Sequence, residues 1–138
     1  MSSHKKIQDM NILVIDDEEK ICELIKIFLE SAYPFHSIVT APNSAQAMQK
    51  FQNQEFDLLI IDHVMPGKVG IEFIEQLKSN VKFHKLKIIL ISGYLKQEDV
   101  QTAIQLGVKN IVVKPFTRQQ LVNQVSEVLK ISPEPETV

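Results

Sequence analysis

The chain has 138 residues, the size of one domain, and its 44% apolar and 23% charged residues are those of an ordinary soluble globular protein. Lys+Arg is 15 and Asp+Glu is 17, a net charge of −2, and Arg118 is the single arginine; this argues against nucleic acid as the main partner, because phosphate contacts need concentrated positive charge. The lone cysteine, Cys22, has no internal disulfide partner, the first residues lack the apolar core of a signal peptide, and no stretch approaches the ~20 apolar residues of a membrane helix, so a cytoplasmic chain without membrane contact is expected.

Residues 1–10 read as an N-terminal extension. A first strand is expected over Ile12–Ile15, an apolar run without polar alternation, as in a strand buried on both faces of a parallel sheet. It ends in Asp16-Asp17-Glu18-Glu19. A helix follows, with Ile21, Leu24, Ile25, Phe28 and Leu29 at helical spacing and Cys22 one residue off that stripe as a small filler. A second, short strand is expected over Ser37–Thr40. Asn43 and Gln46 then form a capping-box signature ahead of Ala45, Met48 and Phe51. The third strand, Leu58–Ile61, ends in Asp62, and the helix after it carries Phe73, Ile74 and Leu77. The fourth, Ile88–Ile91, ends in Ser92 before a helix with Val100, Ala103 and Ile104. Gly107 stands where a helix C-terminus needs a positive φ. The fifth strand, Val108–Val113, ends in Lys114-Pro115. Thr117 and Gln120 repeat the capping signature before a last stripe of Leu121, Val122, Val125, Val128 and Leu129. The body thus spans residues 11–130, and 131–138, with two prolines and two glutamates, reads as a disordered tail. Five strands alternating with five helices imply a doubly wound α/β domain with right-handed crossovers.

In such sheets ligands bind outside the carboxyl ends of the strands. Asp16, Asp17, Asp62, Ser92 and Lys114 all fall there. Three carboxylates on neighbouring strand ends repel one another unless a cation sits among them, and an oxygen-rich site of this kind suits Mg²⁺. The acidic run Asp16–Glu19 also reads as a helix N-terminus that favours negative charge, the preferred reading for its two glutamates. Asp62 can act as a carboxylate nucleophile toward phosphorus, and Lys114 can neutralise the transferred group. Ser92 taken alone is a cap or loop serine. The X–Pro bond at Lys114-Pro115 can be cis. His63 borders Asp62 and points to the alternate side. His4, His36 and His84 do not have ligand spacing.

Taken in order, Ile12-Leu13-Val14-Ile15-Asp16-Asp17, Asp62-His63-Val64-Met65-Pro66 with Gly70, Ser92-Gly93 and Lys114-Pro115-Phe116 resemble the receiver domain of two-component response regulators, the CheY-like superfamily. The resemblance covers about Asn11 to Lys130. It implies a (βα)₅ flavodoxin-like fold with a five-stranded parallel sheet in the order 2-1-3-4-5. It implies Asp62 as phosphoacceptor, and Mg²⁺ bound by Asp17, Asp62 and the Val64 backbone carbonyl, with Asp16 acting largely through water. Ser92 and Lys114 would contact the phosphoryl group. The donor would be a phosphohistidine on a sensor histidine kinase or phosphotransfer protein. The signal would leave through the face of the fourth helix, fifth strand and fifth helix toward a downstream effector protein.

This chain departs from the family pattern at four places. The switch hydroxyl is Ser92 rather than threonine. Ile111 stands where many receivers carry a rotating Tyr or Phe. Gly107–Ile111 lacks the acidic pair of regulators that dimerise through this face. Val64 and Tyr94 stand two residues after Asp62 and Ser92, positions that tune hydrolysis in this family, and this pair implies a slowly hydrolysing acyl phosphate. Three other functions fit these residues less well. An Asp-nucleophile phosphohydrolase would want an acid two residues after Asp62, where Val64 stands. A flavin carrier would want a phosphate loop where Asp16–Glu19 would repel it. A degenerate receiver serving only as a docking module would not need all five key side chains.

Overall fold

A computed structural model describes residues 5–63, 70–94 and 96–134. The elements in chain order are β1 (Asn11–Ile15), α1 (Glu19–Ala32), β2 (Ser37–Ala41), α2 (Ser44–Asn53), β3 (Leu58–Asp62), α3 (Gly70–Lys78), β4 (Lys87–Ser92), α4 (Gln97–Gln105), β5 (Asn110–Val113) and α5 (Arg118–Leu129). The strands are parallel and ordered β2-β1-β3-β4-β5, the doubly wound, flavodoxin-like arrangement.

Side-chain alternation divides the core in two. Ile12, Val14, Leu58, Ile60, Ile89, Ile91 and Val112 face α1 and α5, whereas Leu13, Ile15, Leu59, Ile61, Ile88 and Leu90 face α2, α3 and α4. Every residue of β3 is buried, which explains its unbroken apolar run. Edge strand β2 is only partly covered and correspondingly less apolar.

The structure revises several local expectations. On α1 the buried residues are Cys22, Ile25, Leu29 and Ala32, while Leu24 reaches solvent, so the inward face is turned toward its small residues. On α2 it is Ala47 with Phe51 that is buried, and Ala45 is exposed. The fifth strand starts at Asn110; Val108 is buried in the connection that precedes it. Gly107 has φ +86°, as a residue closing α4 needs. The Asn43 side chain accepts from the Gln46 N–H (2.8 Å), and Thr117 and Gln120 form a complete reciprocal capping box. Both flanking stretches touch the body. Lys5 pairs with Asp57 (3.1 Å) and Met10 is buried. Of the expected tail, Ile131 packs against the α1–α5 core and the Glu134 N–H donates to the Ala32 carbonyl (2.7 Å), because Ile131 continues the apolar stripe of α5.

Candidate active site

Three strand ends meet at one point, and their register explains why. Asp16 continues the alternation of Ile12 and Val14, Asp62 that of Leu58 and Ile60, and Lys114 that of Val112. All three belong to the α1/α5 side of adjacent or nearby strands. Carboxylate oxygens of Asp16, Asp17 and Asp62 all lie within 4.8 Å of one another. Asp16 and Asp62 are buried and Asp17 is exposed.

Lys114 spans this cluster. Its Nζ donates to Asp16 Oδ2 at 3.0 Å and lies 3.4 Å from Asp62 Oδ1 and 3.6 Å from Glu18 Oε1. The other Asp16 oxygen accepts the Glu18 N–H (2.9 Å), an Asx-type turn that opens α1. The Lys114-Pro115 peptide bond is cis.

The electrostatics follow from burial. Desolvation raises the pKa of Asp16 despite the Glu18 N–H and Lys114. Desolvation, and then the Asp16 charge, raise that of Asp62 against the pull of Lys114. Burial alone would lower Lys114, but the bond to Asp16 and the charges of Asp16, Asp62 and Glu18 outweigh it and hold its pKa above the ordinary value. The cluster carries more negative than positive charge, and its donor atoms are all carboxylate oxygens. That set fits a hard divalent cation such as Mg²⁺.

Ser92 closes β4 beside Lys114, whose N–H donates to the Ser92 carbonyl (2.9 Å). Its hydroxyl is engaged locally: Oγ donates to the Tyr94 carbonyl (2.7 Å) and accepts the Tyr94 N–H (3.1 Å). The Tyr94 ring is 74% exposed. Ile111 packs against the α2–α4 core. The expected Val64 carbonyl lies outside the described residues.

Gly70 is needed for packing against the end of β3. A Cβ there would lie 2.7 Å from the Asp62 carbonyl oxygen and 2.9 Å from His63 Cα. The α3 N-terminus therefore sits directly on the end of β3. Two residues that sequence reasoning did not bring together also meet here: His63 Nε2 lies 3.2 Å from Asp99 Oδ2 on α4.

Residues 12–126 match the family model described as the response regulator receiver domain. The chain belongs to that family. Among curated relatives, this receiver is 32% identical over 121 residues to chemotaxis protein CheY1 of Helicobacter pylori, covering 87% of this chain and 97% of that protein. It is 29% identical over 119 residues to the phosphate regulon transcriptional regulatory protein PhoB of Pseudomonas aeruginosa, covering 86% of this chain and 51% of that protein. Among solved structures, the chemotaxis response regulator CheY4 of Vibrio cholerae superposes with a TM-score of 0.77 at 24% identity, over 87% of this chain and 98% of that one, a likeness of fold. Among the described residues no helix is long and apolar enough to cross a membrane.

Proposed function

We propose that this receiver accepts a phosphoryl group on Asp62 from a phosphohistidine of a sensor histidine kinase or phosphotransfer protein. The observation that carries this reading is the Lys114 ammonium held between Asp16 and Asp62 at a cluster of three carboxylates. A carboxylate oxygen of Asp62 attacks phosphorus, the P–N bond to the donor imidazole breaks as the P–O bond forms, and the imidazole leaves as the neutral ring after taking a proton. Asp16, Asp17 and Asp62 would hold Mg²⁺, which supplies charge neutralisation for the transferred group. Lys114 contributes a second positive charge on the same side. Ser92, whose hydroxyl is bonded to the Tyr94 backbone, would exchange that partner for a phosphoryl oxygen.

The modified Asp62 adds nearly two negative charges beside Asp16, so the change must be relayed to the surface. The α4–β5–α5 face carries exposed Ile104 and Val113, apolar side chains suited to an effector protein. Val64 offers no group to orient water two residues after Asp62, so the acyl phosphate is expected to hydrolyse slowly; a lifetime of seconds after donor removal would contradict this. The decisive test is incubation with acetyl phosphate or phosphoramidate and Mg²⁺, read by intact mass. A gain of one phosphoryl group that disappears in Asp62→Asn is the expected result. No gain with either donor would replace this reading with that of a docking module.

A further inference from the structure

Among the described residues, two side-chain holds fix the segment after β4. One is the pair of bonds between the Ser92 hydroxyl and the Tyr94 backbone. The other is the bond from His63 to Asp99 in the first turn of α4.

His63 is mounted rigidly. Its N–H donates to the Ile91 carbonyl (2.8 Å), and its carbonyl accepts the Gly70 N–H, so the peptide after Asp62 is locked to β4 on one side and α3 on the other. Alternation along β3 turns its ring toward the α4 side, the face of Leu59 and Ile61. The ring is buried, at 7% exposure, and Nδ1 has no described partner. A carboxylate partner requires the proton on Nε2, so a single donated bond holds the imidazole.

The helix at the other end is weakly held. Ala103 is the one buried residue of α4, its N-cap Lys96 makes no side-chain capping bond, and Ile104 is 59% exposed. A nine-residue helix with one buried side chain has little packing to fix its first turn.

We infer that His63 and Asp99 form a tether that holds α4 in its resting position, with Asp99 a positioning residue that acts through His63 on the strand end bearing Asp62. The regulatory consequence rests on the reading of Asp62 as phosphoacceptor. When Ser92 turns toward a phosphoryl group it releases Tyr94, and the tether is then the remaining side-chain hold on α4 among the described residues. Its strength sets how far α4 moves, and hence how much of the effector face changes, for one phosphorylation event.

The test is amide hydrogen exchange of residues 99–102 in the full chain, first without any phosphodonor. Asp99→Asn and His63→Leu are expected to speed exchange there about three- to tenfold, the effect of weakening or losing one intramolecular hydrogen bond. Glu98→Gln removes the neighbouring first-turn charge without touching His63 and is expected to change exchange less than about twofold. His63→Gln keeps an Nε2 donor and is expected to restore protection, which a merely space-filling role would not predict. Asp99→Asn exchanging no faster than Glu98→Gln would overturn the tether. With acetyl phosphate and Mg²⁺, exchange at α4 is expected to speed up in both proteins, and further in Asp99→Asn than in wild type, where the tether still holds. A confirmed mass gain that leaves α4 exchange unchanged would overturn the coupling. Absence of any mass gain would overturn the Asp62 reading and the coupling with it, while the comparison in unmodified protein still decides the tether.

Discussion

Replacing Lys114 by methionine keeps most of the stem and removes only the charge that sits among the carboxylates. The Nζ contacts at 3.0 Å to Asp16 and 3.4 Å to Asp62 each amount to about 5 kcal/mol of Coulomb attraction at an effective dielectric constant of about 20. Burying the ammonium offsets much of that gain. Breaking a buried pair by removing one partner costs about 3–5 kcal/mol, because the other charge is left uncompensated. Two effects reduce the figure here. Lys114 is 17% exposed, and Asp16 or Asp62, whose pKa values are already raised by burial, can take up a proton when the ammonium is gone. The expected loss is therefore about 2–4 kcal/mol. An unfolding entropy of roughly 0.3 kcal/mol/K for a chain of this length makes that about 7–13 °C in Tm. Scanning calorimetry in chelator-containing buffer measures it, and added Mg²⁺ should raise the variant's Tm more than that of wild type. The pH dependence has a definite sign. A carboxyl whose folded pKa lies above its unfolded value binds its proton more tightly when folded. The variant should gain stability from this pair as pH falls through the folded values, levelling off near the unfolded carboxyl value. A variant as stable as wild type in chelator, with no larger response to Mg²⁺, would refute the electrostatic reasoning.

Gly70→Ala should cost about 2–3 kcal/mol, the upper part of the range for overpacking, because the new methyl meets backbone atoms of Asp62 and His63 that cannot rotate away. It should also slow phosphorylation from acetyl phosphate, and wild-type values of both Tm and labelling rate would contradict it. Asp62→Asn removes one of two mutually repelling buried carboxylates, so its Tm in metal-free buffer should match or exceed that of wild type, and its response to Mg²⁺ should shrink; Asp17→Asn should blunt the Mg²⁺ response too. Cys22 should resist maleimide in the folded protein at pH 8, since burial and the Asp16 charge push its thiol pKa up to about 11 and leave roughly 0.1% as thiolate. Labelling at the rate of a free thiol without denaturant would show that this end of α1 opens.

The parts of the site that could be read from sequence are those governed by the sheet. Strands buried on both faces must be continuous apolar runs, so the first polar residue after each run marks the carboxyl edge, where Asp16, Asp62, Ser92 and Lys114 stand. The helices were less legible. Helical spacing identifies a stripe, but which edge of it turns inward depends on how closely the helix approaches the sheet. On α1 Ile25 and Leu29 of the expected stripe are buried, but the flanking buried positions are taken by Cys22 and Ala32, where large side chains would hold the helix away, and on α2 Ala47 rather than Ala45 is buried. Apolar patterning does not register small residues filling a close approach.

Asp99 was illegible for a different reason. An acidic residue in the first turn of a helix already has a sufficient explanation in the helix dipole, and Glu98 beside it shares that explanation. Only the structure separates the two, by giving Asp99 a buried partner at the end of β3. The signal in the sequence was on the other side of the contact. Along β3, Leu59 and Ile61 face the α2–α4 core, so the next residue of that parity points into apolar surroundings. A histidine there must find a hydrogen-bond partner on a neighbouring helix or remain unsatisfied. The same alternation that delivers Asp62 to the acidic cluster thus delivers His63 to α4, and two consecutive residues connect the proposed phosphoacceptor site to the helix of the proposed effector face.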